Sequence, residues 1–295
     1  MSQEEVWNIK RLLEWTTDYL KKNGSESPRL DAEILLSNAL GCKRIELYTQ
    51  FEHVPDEEKR ATFRDYVKRR AKGEPVAYLV GYKEFYSLTF EVNSHVLIPR
   101  PETEHLVVDS LDLLVRMESS TPLKVCDVGT GSGAIAVAIA KHAKKCEVTA
   151  IDLSAKALEI AQTNAKTHAV ADRITFLQGD LLDSLPNEPL FDLIVSNPPY
   201  VSEEEYEKLA PDVKNFEPKA ALLADENGTA LIRRLIDQAT TRLVPDGWLL
   251  VELSPMIAQE MANLVRHKST LWHEPIILRD MAGLDRILKT RKRAS

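Results

Sequence analysis

The tetrad Asn197-Pro198-Pro199-Tyr200 places one amide, two prolines and one phenol in succession after an apolar run, Phe191-Asp192-Leu193-Ile194-Val195-Ser196. The run has a strand's composition. Two consecutive prolines, with no N–H to donate and φ fixed, end it at Asn197. The prolines make a stiff turn whose carbonyl oxygens face outward beside an amide side chain and an aromatic ring, a setting suited to a planar NH2 group. The nitrogen of an amide or exocyclic amine is a weak nucleophile because its lone pair is shared with the neighbouring π system. Acceptors gripping both of its hydrogens, here the Asn197 side-chain oxygen and the Pro198 carbonyl, favour a pyramidal, positively charged nitrogen. Each such charge-assisted bond is worth about 1.5 to 3 kcal/mol and tightens as charge develops. Tyr200 is placed to stack on the flat group and face the growing cation, adding about 0.5 to 2 kcal/mol. No general base is then required. The plainer reading, a Pro-Pro corner closing a buried strand, holds unless an electrophile site lies nearby.

Such a site is offered by Asp127-Val128-Gly129-Thr130-Gly131-Ser132-Gly133-Ala134, which ends one apolar strand pattern and opens an apolar helix. Glycines there let the backbone turn tightly and touch a ligand at which the helix N-terminus points. The glycine pattern alone also satisfies a dinucleotide fingerprint, with Asp152 at the ribose-reading distance of either cofactor. Asp127 leans one way, because a carboxylate there repels a pyrophosphate but suits the ammonium group of S-adenosylmethionine. Asp152, ending the next strand, would accept from both ribose hydroxyls. Gly179-Asp180 ends a third, where Asp180 could take the adenine amino group and Leu181 pack on the base. Each Asp alone serves equally as a helix cap. Three acids at successive strand ends, with the Asn-Pro-Pro-Tyr turn at the fourth, make one cleft.

The elements that must position these residues alternate. Residues 123–128, 147–152, 174–178, 191–196, 248–253, 275–279 and 285–289 read as strands. Helical patterns lie between them, among them 154–167, capped by Ser154, and 230–243. Alternation of this kind predicts a largely parallel sheet with helices on both faces and a ligand outside the strands' carboxyl ends, near the switch point. Upstream, residues 1–83 read as helices. Ser2 and Glu5 form a capping-box pattern, and Val6, Ile9, Leu12, Leu13 and Leu20 keep helical spacing up to Asn23-Gly24. Pro28 opens a second helix, and a third starts near Pro55-Asp56. That third helix ends on Lys68, Arg69, Arg70 and Lys72, most simply a solvated helix end, with contact to RNA or an acidic partner as the other reading. Residues 84–98 change to period 2 and predict a hairpin linker, with a turn signal at Asn93-Ser94. Residues 99–295 form the remaining domain, entered through Leu97-Ile98-Pro99-Arg100-Pro101-Glu102-Thr103-Glu104.

Composition excludes several classes. The chain has 295 residues, 44% of them hydrophobic and 28% charged, with a net charge of −7. That balance argues against tight, sequence-independent binding to nucleic acid, which needs many Lys/Arg–phosphate contacts. Three cysteines, Cys42, Cys126 and Cys146, have no framework spacing and fit a reducing cytosol. The acidic start, Glu4-Glu5, lacks a signal peptide's basic region, and the apolar run 134–140 is too short to span a bilayer. Scattered histidines and the absence of Cys-x-x-Cys predict no metal.

Taken together, Gly129-Thr130-Gly131-Ser132-Gly133, Asn197-Pro198-Pro199-Tyr200, Ile98-Pro99-Arg100-Pro101-Glu102-Thr103-Glu104 and the helical amino-terminal region resemble the HemK/PrmC protein-(glutamine-N5) methyltransferases. Tyr78-Leu79-Val80-Gly81 and Phe216-Glu217-Pro218-Lys219-Ala220-Ala221-Leu222 extend the likeness over nearly the whole chain. The resemblance implies an α/β fold: a seven-stranded Rossmann-like methyltransferase domain using S-adenosylmethionine, with a small all-helical substrate-recognition domain joined by a β-hairpin. It implies methylation of the glutamine in the Gly-Gly-Gln loop of class 1 peptide chain release factors. The glycine loop, Asp152 and the residue after Asp180 would hold the donor, and Asn197, Pro198, Pro199 and Tyr200 the glutamine. A cytoplasmic monomer is expected. Methylation of a ribosomal-protein glutamine or of DNA adenine N6 is the alternative; the latter needs a basic target-reading domain that this acidic chain does not offer. Two stretches depart from the family pattern, Glu252-Leu253-Ser254-Pro255 and Ala224-Asp225-Glu226. Both are expected to lie away from the transfer site.

Overall fold

The structure, a computed structural model, describes residues 6–117, 119–186, 188 and 190–294. It divides into two compact units. One runs up to Tyr82 and takes in Ala210–Phe216; the other comprises Lys83–Leu209 and Glu217–Ser295.

The first unit is helical. Its leading helix, Ile9–Lys22, buries Ile9, Leu12, Leu13, Thr16 and Leu20 on one stripe and is capped by Asn8, whose side chain accepts from the Arg11 N–H. The predicted Ser2–Glu5 cap lies outside the described residues. Helix Pro28–Leu40 starts on its proline and ends at Gly41 in the left-handed region, φ 69°. Helix Glu57–Arg70 is capped by Asp56, as its sequence implies. Its basic end is not simply solvated: Arg70 Nε donates to Asp31 at 2.8 Å with both side chains largely buried, and Arg69 grips Glu74 with two nitrogens. Those cations are consumed inside the unit by carboxylates that local sequence does not pair with them.

The chain enters the second unit along β1 (Tyr82–Phe85), which forms the expected hairpin with β2 (Leu88–Glu91). Its reversal falls at Tyr86-Ser87, both at positive φ (49° and 58°), and not at Asn93-Ser94. Neither residue favours that conformation. Tertiary contacts hold it: the Tyr86 N–H donates to Glu104 Oε1 at 2.9 Å, and Phe85 and Phe90 bury their rings edge to face.

The main sheet has seven strands. They are β3 (Leu123–Val128), β4 (Cys146–Asp152), β5 (Ile174–Gln178), β6 (Phe191–Ser196), β7 (Leu243–Glu252), β8 (Ile276–Arg279) and β9 (Asp285–Arg291), in the order β5-β4-β3-β6-β7-β9-β8. The first five are parallel neighbours, and β9 runs antiparallel to both β7 and β8. β7 begins earlier than the sequence pattern indicates. Strand residues alternate between two apolar layers: Val125, Leu193, Val195 and Leu250 pack on one face, Cys126, Ile194, Leu249 and Val251 on the other. The strand order reverses between β3 and β6, which is where open α/β sheets form ligand crevices. Among the described residues no helix is long and apolar enough to cross a membrane.

Candidate functional site

The sheet register decides which residues meet. Ile151, Val128, Ser196 and Val251 lie in one row across β4, β3, β6 and β7. The next row is therefore Asp152, Gly129, Asn197 and Glu252. The Ser196 hydroxyl donates to the Val128 carbonyl at 2.7 Å, so the glycine loop and the Asn-Pro-Pro-Tyr turn leave the sheet side by side at the switch point. A cavity of about 380 Å³ opens there, within the usual range for small-molecule sites.

Its lining joins most of the residues that the sequence singles out: Gly129, Thr130, Gly131 and Ser132 from the loop, Asp152, Asp180 and Leu181 from the neighbouring strand ends, and Asn197 and Pro199 from the turn. Arg100 and Thr103 line it as well. Asp127, Gly133, Pro198 and Tyr200 lie outside this lining. Gly133 is needed for packing, since a Cβ there would sit 3.0 Å from that of Ala161 at a φ of 79°.

Asp127 is fully buried at the end of β3. Its Oδ2 accepts from Thr130 Oγ1 at 2.7 Å and from the Ala136 N–H at 3.1 Å, while Oδ1 has no partner. Burial pushes this carboxyl up to about 7 despite those two bonds. Asp152 accepts from the Gly131 N–H through Oδ2 (2.8 Å) and from the Ser154 N–H through Oδ1 (2.9 Å). Burial raises its pKa too, and backbone donors hold it back. Asp152 thus fixes the loop's shape and keeps one lone pair on each oxygen. Asp180 pairs with Arg234 Nη2 at 2.8 Å. The turn it begins is drawn close because residue 179 has no side chain: a Cβ there would fall 1.9 Å from Ser184 Oγ.

In the Asn-Pro-Pro-Tyr turn, Asn197 Nδ2 donates to Thr103 Oγ1 at 3.0 Å, which leaves Oδ1 as the amide's acceptor. The Tyr200 hydroxyl donates to Glu252 Oε1 at 3.3 Å. Burial, ahead of the nearby Glu252 charge, raises the phenol's pKa. Glu217 accepts from the Ile98 N–H at 3.1 Å and pairs with Arg100, fastening the 97–104 segment over the cavity.

The two departures from the family pattern do not lie away from this site. Glu252 directly contacts Tyr200. The Ala224 N–H donates to the Val201 carbonyl at 2.9 Å, and a Cβ on Gly228 would come within 2.2 Å of the Tyr200 carbonyl oxygen. Sequence distance hides both contacts, because strand register and loop return create them. Sequence reading also misses Asn164, buried on helix Ala155–Thr167. Its Nδ2 donates to the Ser132 carbonyl (2.8 Å) and the Glu91 carbonyl (3.0 Å), and its Oδ1 accepts from the Glu91 N–H (2.7 Å). The available signal is a polar residue on the apolar spacing of Ala157, Leu158, Ala161 and Ala165.

Residues 11–81 match the PrmC N-terminal domain, and residues 107–216 the methyltransferase small domain. The chain is 51% identical to the release factor glutamine methyltransferase of Rhodopirellula baltica, over 99% of this chain and 98% of that one. It is 42% identical to the protein of that name from Nitratidesulfovibrio vulgaris, over 96% and 95%. Among solved structures, the N-terminal domain of human METTL16 in complex with SAH shares the fold at a TM-score of 0.52. That likeness has 17% identity and covers 77% of this chain and 83% of the other.

Proposed function

The chain belongs to the release factor glutamine methyltransferase family, and from that premise we propose that it methylates the side-chain amide nitrogen, N5, of the Gly-Gly-Gln glutamine in a class 1 peptide chain release factor, with S-adenosylmethionine as donor. The cavity suits that donor. Asp127 Oδ1 is a buried acceptor without a partner, and a cationic ammonium beside it would draw the proton from its carboxyl. Asp152 retains lone pairs for the ribose hydroxyls. Gly129, Thr130, Gly131 and Ser132 bring backbone close to the ligand, Gly133 lets the loop pack against Ala161, and Asp180 and Leu181 border the place for the adenine. When bound, the donor supplies an electrophilic methyl group on a sulfonium.

Asn197 and Pro198 do the work on the acceptor. Asn197 Oδ1 and the Pro198 carbonyl accept the two N–H bonds of the glutamine amide and hold its nitrogen toward the glycine loop. Both bonds strengthen as positive charge grows on that nitrogen. Pro199 forms the wall on one side. Tyr200, its hydroxyl engaged by Glu252, offers its ring as a further wall for the slot. Alignment of this kind supplies up to about 7 to 11 kcal/mol of the barrier reduction. In this reading the amino-terminal helices grip the protein substrate, and the enzyme works in the cytoplasm as a monomer.

The observation that carries the proposal is the orientation of Asn197, whose side-chain nitrogen is tied to Thr103 so that Oδ1 is the amide's remaining acceptor in a turn that lines the same cavity as the glycine loop. The test is incubation with a purified release factor and methyl-labelled donor, followed by mass mapping. A single methyl group on the Gly-Gly-Gln glutamine is expected. Label on another residue, on a ribosomal protein alone or on adenine would overturn it.

A further inference from the structure

Asn164 sits on helix Ala155–Thr167 with 1% of its surface exposed. Its Nδ2 has two protons to give. One goes to the Ser132 carbonyl at 2.8 Å and the other to the Glu91 carbonyl at 3.0 Å, while Oδ1 accepts from the Glu91 N–H at 2.7 Å. The amide thus pairs with both backbone groups of Glu91, the last residue of β2, as a neighbouring strand would, and spends its remaining proton on the glycine loop. The same helix packs on that loop one turn earlier, where a Cβ on Gly133 would meet Ala161 at 3.0 Å. The loop's other side is tied to carboxylates assigned to the donor: Asp152 takes the Gly131 N–H and Asp127 the Thr130 hydroxyl. Asn164 and Glu91 stay outside the cavity lining, whereas Ser132, 3% exposed, is part of it. A buried carbonyl that loses its donor must find another. For Ser132 the open space that it borders is the cavity, so without Asn164 its peptide would turn toward the place of the ligand.

We propose that Asn164 is a positioning residue for S-adenosylmethionine and that it makes strand β2 part of the donor site: the amide keeps the Ser132 carbonyl out of the cavity while Glu91 keeps the amide facing the right way. The inference rests on the donor reading given above. Glu91 offers one donor and one acceptor, and that pair decides which end of the Asn164 amide is nitrogen. Reversed, the amide would bring Oδ1 against two carbonyl oxygens. With β2 detached, nothing on the hairpin side opposes that reversal. By linkage, if detaching β2 weakens donor binding by some factor, bound donor must strengthen the attachment of β2 by the same factor. The acceptor side is held separately, through Asn197 and Thr103, so turnover at saturating donor does not pass through Asn164. A purely structural asparagine would lower stability and leave the donor affinity of folded molecules where it was.

Hydrogen exchange and calorimetry on the full chain test this. In wild-type protein, saturating S-adenosylmethionine should slow exchange of the Glu91 amide roughly tenfold, although Glu91 does not line the cavity. Asn164→Ala, at a temperature where circular dichroism shows it folded, should bind S-adenosylmethionine more weakly by that same factor. Its kcat at saturating donor should stay at the wild-type value, the split expected when only donor binding is lost. A Glu91 exchange rate that the donor leaves unchanged would overturn the inference, and because that measurement needs no substitution it decides the question even if the variant does not fold. Wild-type donor affinity in folded Asn164→Ala would overturn it as well, and so would a fall in kcat with affinity unaltered. A wild-type chain that binds no S-adenosylmethionine would defeat the donor reading and this inference with it. Donor binding with the release factor glutamine left unmodified would defeat the proposed function alone, and the Glu91 exchange would still decide the role of Asn164.

Discussion

Gly228→Ala tests how tightly the segment after Tyr200 controls the acceptor turn. Gly228 has φ +86°, and a Cβ added there would come 2.2 Å from the Tyr200 carbonyl oxygen and 3.0 Å from its carbon. Both are backbone atoms, so no side chain can swing aside. The 2.2 Å contact is about 0.8 Å shorter than a Cβ tolerates, and relieving it means moving the Asn197–Tyr200 turn or segment 224–229 by about that much. Glu226 and Asn227 already sit at positive φ, and the Ala224–Val201 hydrogen bond anchors the segment, so little slack remains. A left-handed alanine costs about 1 to 2 kcal/mol and overpacking about 1 to 3 more, offset by about 0.4 to 1 kcal/mol of unfolded-state entropy. The expected net loss is about 2 to 4 kcal/mol in urea denaturation. Because a shift near 1 Å in a reacting geometry costs about 10²-fold, kcat should fall by that order while donor affinity, governed by the glycine loop, changes little. A variant with wild-type stability and wild-type kcat would show that the turn is not confined by this contact.

Neighbouring contacts carry further expected outcomes. Asn197→Ala should lower kcat about 10²- to 10³-fold and leave S-adenosylmethionine binding intact by calorimetry; full turnover would remove Asn197 from the chemistry. Asn164→Ala gives up three bonds between Glu91, Ser132 and the helix, and should lose about 2 to 4 kcal/mol in chemical denaturation. Asp127 has its carboxyl raised from 3.8 to about 7 in the folded chain, so its contribution to stability is complete below pH 3.8 and is lost as pH rises toward 7. Across that window the ligand-free protein should lose about 1.4 kcal/mol per pH unit from this group, a slope that Asp127→Asn should remove in urea titrations at several pH values.

Much of the sheet was legible because buried parallel strands are short apolar runs bounded by turn residues, and β3, β5 and β6 begin and end where those runs do. The glycine loop and the Asn-Pro-Pro-Tyr turn were legible as backbone features for a related reason: glycines and prolines announce backbone geometry directly. The Tyr86-Ser87 reversal was not, because its residues carry no turn preference and are held in place by Glu104 and two buried phenylalanines. In the sequence, Glu252 is only the first residue of a stretch that departs from the family pattern. Its meaning depends on β7 lying in register with β6, a fact about pairing that no property of β7 alone contains. The ties from Arg70 to Asp31 and from Asn164 to Ser132 belong to the same class, since each partner is chosen by packing.

Gly129 and Asn197 directly follow β3 and β6, strands that exchange backbone hydrogen bonds, so the two halves of the cavity are anchored one interstrand spacing, about 4.8 Å, apart. That gap is a constant of the pleated ladder, set when the chain folds and independent of any later closing motion. Surface segments that do not touch the Asn197–Tyr200 turn can therefore be exchanged while the distance across which a one-carbon group must pass stays the same.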